Sequence, residues 1–317
     1  MIEAMPDIKD VRAAAQRVAP FIVRTPVLAG RGRLDDLVGA QLFFKCENFQ
    51  RVGAFKFRGA MNAVLSLSDP ELANGIATHS SGNHAAAVAL AAKLKDARAT
   101  VVMPEGSSAV KVEAVRGYGA DVRFCKNSQQ AREAALAQVV RDSGASFIHP
   151  YDDWRVICGQ GTAALEFLAE VPQLDLLLTP VGGGGLLSGS AITTKAVSPH
   201  TRVIAVEPAG ADDAFLSLQS GRIVPSIDPK TIADGLRTSL GVRNFEVIQE
   251  HVDGIVTVSE TAIVEAMRLL WTRLKVIVEP SAAVPLAALL EHKLDVDGLR
   301  VGIILSGGNV DLDALPW

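Results

Sequence analysis

Lys56 sits in the run Glu47-Asn48-Phe49-Gln50-Arg51-Val52-Gly53-Ala54-Phe55-Lys56-Phe57-Arg58-Gly59-Ala60, with a phenylalanine on either side. Burial among apolar neighbours disfavours an ammonium, lowers the lysine pKa and leaves a nucleophilic amine. A neutral lysine amine condenses with aldehydes to give a Schiff base. The competing reading is a surface lysine whose stem lies along apolar neighbours. The rest of the chain has to choose between them.

Three further loops offer chemistry that suits such an amine. Pro180-Val181-Gly182-Gly183-Gly184-Gly185-Leu186-Leu187-Ser188-Gly189 lies between an apolar run and a helical pattern. Consecutive glycines let backbone N–H groups converge on an anion, and the helix start adds a favourable dipole. No Gly-Lys-Ser/Thr follows, so this is not a P-loop, and the spacing misses the dinucleotide fingerprint. A phosphate cradle is the expectation; a tight packing turn is the plainer one. His79-Ser80-Ser81-Gly82-Asn83-His84 also joins a strand to a helix, with hydroxyls and backbone donors suited to a carboxylate. Its plainer reading is an N-cap by Ser81 or Asn83. Leu305-Ser306-Gly307-Gly308-Asn309-Val310-Asp311 is the third.

Strands and helices must aim these loops. Ala40–Lys45, Gly75–His79, Ala99–Met103, Asp121–Phe124, Ser146–Ile148, Leu174–Thr179, Arg202–Val206 and Val301–Leu305 read as strands. Ala85–Lys95, Val110–Tyr118, Ser128–Ser143, Leu186–Val197, Thr261–Leu274 and Ser281–Lys293 read as helices. The alternation predicts parallel sheets with right-handed crossovers, and the chemical loops all leave C-terminal strand ends, where ligands of open α/β sheets gather. The expected division is a discontinuous large domain, 1–65 and 151–317, around a small α/β domain, 66–150, with the ligand in the cleft between them.

Composition narrows the function classes. Of 317 residues, 49% are hydrophobic and 21% charged, which supports a buried core and argues against disorder. The net charge of −4 with no basic patch argues against nucleic acid. No apolar run approaches a membrane span, and Met1–Asp10 reads as neither a signal nor a transit peptide. Cys46, Cys125 and Cys158 are odd in number and widely spaced, which fits a reducing cytosol and gives no zinc signature.

Taken in order, the Lys56 run, Ser80-Ser81-Gly82-Asn83-His84, Gly182 to Gly185 and Ser306-Gly307-Gly308-Asn309 resemble the fold type II pyridoxal-phosphate enzymes, in particular the serine racemase and serine/threonine dehydratase family. The resemblance spans nearly the whole chain. It implies a tryptophan synthase β-like fold of two open α/β domains. It also implies pyridoxal phosphate bound to Lys56 as a Schiff base. The phosphate would rest on Gly182, Gly183, Gly184, Gly185 and Leu186. Asn83 would contact the ring hydroxyl and Ser306 the pyridine nitrogen, with Gly307 alongside. Phe55 and Gly235 would line the ring, with Glu279 close by. A neutral hydroxyl at Ser306 holds a pyridinium less well than a carboxylate does, so the ring is a weaker electron sink. That suits β-elimination from a β-hydroxy amino acid (serine, threonine, 3-hydroxyaspartate or phenylserine). An aminoacrylate is released and hydrolyses to a 2-oxo acid and ammonia.

The same resemblance carries the remaining assignments. Ser-Ser-Gly-Asn-His is similar to serine racemases and hydroxyaspartate dehydratases, with Ser80, Ser81, Gly82, Asn83 and His84 on the substrate. Ser81 facing Lys56 across the substrate would give the two-face acid/base that racemisation of serine or aspartate requires. Arg132 matches a substrate-proximal arginine suited to a second carboxylate; Thr238 and Ser239 would add hydroxyls. Glu207, the Ala211 carbonyl and Asp213 look like a Mg²⁺, Ca²⁺ or Mn²⁺ site. A cytoplasmic homodimer is the family expectation. Two places depart from it: Ala86 where relatives often have glutamine, and Tyr151-Asp152-Asp153 after His149-Pro150 where racemases often show asparagine, which opens the question of the substrate side chain. The chain ends at Trp317, before the regulatory domain of biosynthetic threonine dehydratases. From another class, a non-catalytic sensor of a phosphate ligand would keep the cradle but would not need Lys56, Ser81 and Ser306 together.

Overall fold

The computed structural model describes residues 4–30 and 32–317; residues 1–3 of the N-terminal stretch, and residue 31, lie outside it. The first elements are α1 (Ile8–Val18), β1 (Val27–Ala29), α2 (Arg33–Val38), β2 (Gln41–Cys46) and α3 (Lys56–Leu65). Then come α4 (Asp69–Asn74), β3 (Ile76–His79), α5 (Asn83–Leu94), β4 (Ala99–Pro104), α6 (Ala109–Gly117), β5 (Asp121–Cys125), α7 (Gln129–Ser143) and β6 (Ser146–Phe147). The chain continues through α8 (Trp154–Glu170), β7 (Leu176–Pro180), α9 (Gly185–Val197), β8 (Arg202–Pro208), α10 (Asp213–Ser220) and α11 (Val242–His251). It closes with β9 (Gly254–Val258), α12 (Glu260–Leu269), α13 (Pro280–Leu290) and β10 (Arg300–Leu305). Among the described residues no helix is long and apolar enough to cross a membrane.

Two sheets organise these elements. Six strands run in the order β1-β2-β10-β7-β8-β9, and four in the order β5-β4-β3-β6. Every pairing is parallel except β1 with β2 at one edge. The sequence predicts this α/β class, and the reason is visible in β7: all five of its residues are buried, as a parallel strand covered on both faces requires. Helix starts follow local chemistry. Ser128 accepts from Ala131 N at 3.2 Å to cap α7, which ends at Gly144 in the left-handed region.

The helical pattern over Thr261–Leu274 splits. α12 is α-helical to Leu269, then Leu270–Leu274 widens to a π turn that stops at Lys275 with φ 63°. α8, which is not among the helices read from the sequence, is the longest helix among the described residues at 17 residues and packs against α3 and α9. α3 belongs to both halves of the molecule. Its Phe57, Met61 and Val64 share a core with Ile76, Val88 and Val101 of the four-stranded unit, while its Gly59 N donates to Gln160 Oε1 on α8 at 3.1 Å. Lys56 is therefore the first residue of a helix wedged between the two sheets.

Candidate active site

Five segments meet at C-terminal strand ends: residues 47–56 after β2, 80–83 after β3, 148–153 after β6, 181–185 after β7 and 306–309 after β10. β10 lies between β2 and β7, so chain order reverses there, the position at which ligands of open α/β sheets gather. The loop leading to Lys56 is joined to the Ser306 loop through backbone. Phe55 N donates to Ser306 O at 3.0 Å, Gly308 N donates to Gly53 O at 2.9 Å, and Ala54 bridges Gly307.

Lys56 is partly buried, and its Nζ donates to Pro150 O at 2.9 Å. That nitrogen stands 5.1 Å from the Phe55 ring centroid and 6.0 Å from that of Tyr151. Burial pushes its pKa down to about 8, with the Glu279 carboxylate opposing. The reactive-amine reading thus has a physical basis, and the surface-lysine reading does not fit. Glu279 is buried, lifted to about 7 by that burial, and receives Asn83 Nδ2 at 2.9 and 3.1 Å.

Two residues further along α3, Arg58 is fully buried in an ionic network. It meets Glu47 at 2.7 and 2.9 Å and Glu166 at 2.8 and 2.9 Å. Lys45 completes it, donating to Glu166 at 2.7 Å and to Thr25 O at 2.8 Å. These contacts fix the helix that carries Lys56.

The glycine loop is buried, and among the described residues the amides of Gly182, Gly183, Gly184 and Gly185 find no protein acceptor. Buried N–H groups need a partner, and a phosphate supplies one. Gly183 and Gly184 leave no room for a side chain. Gly184 has φ +97° and a Cβ there would stand 2.6 Å from Asn244 Cβ; one on Gly183 would enter the Tyr151 ring. The residues present therefore fit the phosphate end of pyridoxal phosphate. Leu186 follows at the start of α9, and Thr238 Oγ1 lies 3.3 Å from where a Cβ on Gly182 would be. Ser239 is engaged elsewhere, accepting from Ser226 N at 2.9 Å. Gly235 donates to Ser281 Oγ at 3.2 Å, and Ser306 is buried at the end of β10.

At the Ser80–His84 loop the N-cap reading fails. Gly82 occupies the cap position and α5 has no side-chain cap bond, so neither Ser81 nor Asn83 serves as one. Ser80 Oγ accepts from Gly82 N at 3.3 Å. Ser81 has no hydrogen bond to Lys56. His84 is buried with Nε2 3.3 Å from Ile148 O and no partner on Nδ1; burial, then the Lys56 charge, pushes it well below the usual imidazole range. Arg132 lies on α7. Its Nε is buried without a partner among the described residues, and its charge is felt at both His79 and Tyr151.

Sequence reasoning gave no role to His149 and Tyr151. Their rings meet edge to face at 4.7 Å, and His149 Nδ1 accepts from Asp152 N at 2.8 Å. Burial holds His149 down at about 4 and Tyr151 up at about 12, so both are neutral. The only sequence signal was the aromatic residue after His149-Pro150. The Pro150 carbonyl had none, because any residue offers one.

Glu207 and Asp213 lie apart from this cleft's lysine, buried at the end of β8 and the start of α10. Glu207 accepts from Ala214 N at 3.2 Å and Phe215 N at 3.0 Å, and burial lifts it to about 9. Asp213 Oδ2 accepts from Leu240 N at 3.2 Å, and burial lifts it to about 6 against the hydrogen bonds of Leu240 N and the Ser226 hydroxyl. Ala211 is buried between them in sequence. Among the described residues no three His, Cys, Asp or Glu side chains gather. A cation here would need backbone and water oxygens, which suits a hard ion.

The residues 18–307 match the profile of a family described as pyridoxal-phosphate dependent enzyme. The chain belongs to that family. It is 48% identical over 313 residues to the β-hydroxyaspartate dehydratase of Paracoccus denitrificans, covering 99% of each chain. It is 50% identical over 309 residues to the L-threo-3-hydroxyaspartate ammonia-lyase of Saccharomyces cerevisiae, covering 97% of this chain and 94% of that one. The crystal structure of serine racemase from Dictyostelium discoideum superposes with a TM-score of 0.93 at 47% identity, covering 98% of this chain and 100% of that one. The fold is thus the fold type II arrangement that the motifs predict. As a member of the family, the protein is an enzyme of amino-acid chemistry built around pyridoxal phosphate.

Proposed function

We propose that this pyridoxal-phosphate enzyme is an ammonia-lyase that dehydrates a β-hydroxy amino acid bearing a second carboxylate, of the 3-hydroxyaspartate class. The observation that carries the substrate is Arg132, whose buried Nε lacks a hydrogen-bond partner among the described residues and whose charge is felt at His79 and Tyr151. A buried guanidinium edge without an acceptor is matched by a carboxylate. Two relatives near half-identical to this chain act on hydroxyaspartate by name, which supports the same choice.

Pyridoxal phosphate, when bound, supplies an aldehyde and an electron-withdrawing ring that acidifies the α-carbon of an amino acid. The chain supplies the rest. Gly182 to Gly185 hold the phosphate through open amides, with Leu186 behind them. Phe55, Gly235, Ser306 and Gly307 would border the ring, and Asn83 and Glu279 would hold one side of it. Ser80, Ser81, Gly82 and His84 bring the start of α5 to the substrate α-carboxylate. Lys56, poised near neutrality, takes the α-proton. Thr238 adds a hydroxyl near the phosphate end.

Ser81 supports a second activity. Its uncapping hydroxyl at the start of α5 is available as the acid/base on the face opposite Lys56, which would give racemisation of serine or aspartate. We also propose a Mg²⁺, Ca²⁺ or Mn²⁺ ion on Glu207, Asp213 and the Ala211 carbonyl, supported by the burial of both carboxylates with the charge of Asp213 felt at Glu207. A cytoplasmic homodimer, with domains 1–65 plus 151–317 and 66–150, completes the reading.

The test is a panel of serine, threonine, both hydroxyaspartates and phenylserine, scored for 2-oxo acid and for enantiomer. Hydroxyaspartate should lead, and Arg132→Met should lose that preference while sparing serine. Faster turnover of phenylserine or threonine by the native enzyme would refute the substrate class. Ser81→Ala should lose racemisation and keep some elimination; unchanged rates of both remove Ser81 from the chemistry.

A further inference from the structure

We infer that Asn309 is a positioning residue for cofactor binding: its side-chain amide ties the Lys56 loop to Asn83 and forces Asn83 to point its nitrogen at Glu279. The polarity starts from a group that cannot be misread. Val52 O is a backbone carbonyl and only accepts, and Asn309 Nδ2 lies 2.7 Å from it. The same nitrogen lies 2.9 Å from Asn83 Oδ1. Asn83 must therefore present oxygen to Asn309, and its own nitrogen faces the Glu279 carboxyl oxygens at 2.9 and 3.1 Å. Turning the Asn83 amide over would set nitrogen against nitrogen on one side and oxygen against a carboxylate on the other.

Asn309 is not needed to hold the two loops together. The bonds Gly308 N to Gly53 O and Phe55 N to Ser306 O, and the Ala54–Gly307 bridge, are all backbone and survive its truncation. The side chain instead sits on Gly53, where a Cβ would approach its Oδ1 to 2.5 Å. It thus touches the loop before Lys56, the loop after β10 and the start of α5. What it adds is the orientation of one amide donor at the corner of the cleft. Asn309 is itself exposed, so its removal leaves no cavity.

This inference rests on the reading of Asn83 as a cofactor contact, and the experiment separates the two. Holoenzyme is equilibrated at falling pyridoxal phosphate concentrations, and bound cofactor is scored by its visible absorbance. Asn309→Ala should weaken cofactor affinity about tenfold, the scale of one hydrogen-bonded donor, with the melting temperature of the cofactor-stripped chain unchanged. Asn83→Ala should weaken it at least as much, and the double variant should bind no worse than Asn83→Ala alone. Asn309→Ser is read the same way if the alanine variant fails to fold. Native affinity in the Asn309 variant, losses that multiply in the double variant, or a lowered melting temperature of the stripped chain would each overturn the role of Asn309. Native affinity in Asn83→Ala would remove the reading of Asn83 on which it rests.

Discussion

With pyridoxal phosphate removed, the Lys56 amine should titrate near 8, the value to which burial pushes it against the attraction of Glu279. An ordinary lysine titrates near ~10.4, so at pH 7.5 about a quarter of Lys56 is neutral against about one part in a thousand for a surface lysine. That is a roughly 200-fold enrichment in free amine, the form that captures an aldehyde. Isotopic dimethylation of the lysines and carbon NMR across pH 6 to 11 would follow it, with the Lys56 signal identified by its loss in Lys56→Ala. Glu279→Gln sharpens the test. Glu279 titrates near 7, so it is mostly charged where Lys56 loses its proton. Its removal takes away the force that opposes burial, and the Lys56 midpoint should fall further. A Lys56 midpoint at the ordinary lysine value refutes the buried amine. A midpoint that rises in Glu279→Gln refutes the assignment of Glu279 as its counter-charge.

Two other outcomes follow from contacts at the cradle and at the acidic pair. Gly183→Ala places a Cβ in the Tyr151 ring, so bound cofactor per chain should fall at least about tenfold, and Tyr151→Ala in the same chain should restore part of it; full binding by Gly183→Ala alone would show that the loop has slack. Glu207 carries a folded-state pKa of about 9, above the ordinary carboxyl range. The folded chain then keeps a proton that the unfolded chain has lost, so in chelator the stability should decline as pH rises from about 5 to about 9. A divalent ion that binds the ionised pair should reverse that decline. Thermal melts at pH 6 and 8.5, with and without Mg²⁺, Ca²⁺ or Mn²⁺, read this directly, and melts indifferent to pH and ion would exclude the site.

What the sequence makes legible is the set of residues whose chemistry leaves little choice. A run of four glycines at a strand end, a lysine between phenylalanines and a serine loop before an alanine-rich helix each signal locally, and each lies where a parallel strand ends. The charged network under α3 does not signal. Lys45 and Glu166 are 121 residues apart, and Arg58 and Glu166 are 108 apart, so composition counts them as surface charges. α8 was hidden for a related reason. Its Gly159 lowers helix propensity, yet a Cβ there would stand 2.6 Å from Gly59 Cα on α3. Close helix packing requires the residue that local propensity disfavours. Ser239 shows the converse: its type suggests a contact with substrate, and its hydroxyl instead holds Ser226.

α3 treats two cations in opposite ways within its first turn. Arg58 lies two residues after Lys56 and is the more deeply buried, yet two carboxylates grip it and raise its pKa above the ordinary value despite desolvation. Lys56 has a neutral carbonyl at 2.9 Å, and its carboxylate, Glu279, is itself half-neutral near pH 7. Its position as the first residue of the helix adds the positive end of the backbone dipole, which also disfavours an ammonium. Breaking the Arg58 pairs would leave two buried carboxylates uncompensated against α3 and loosen the helix, while the carboxylate whose charge is felt at Lys56 is Glu279. The network therefore anchors the helix that carries Lys56. By satisfying Glu47 and Glu166 with Arg58 and Lys45, it holds α3 in place, and the helix then presents in the cleft a lysine that has no ion pair among the described residues.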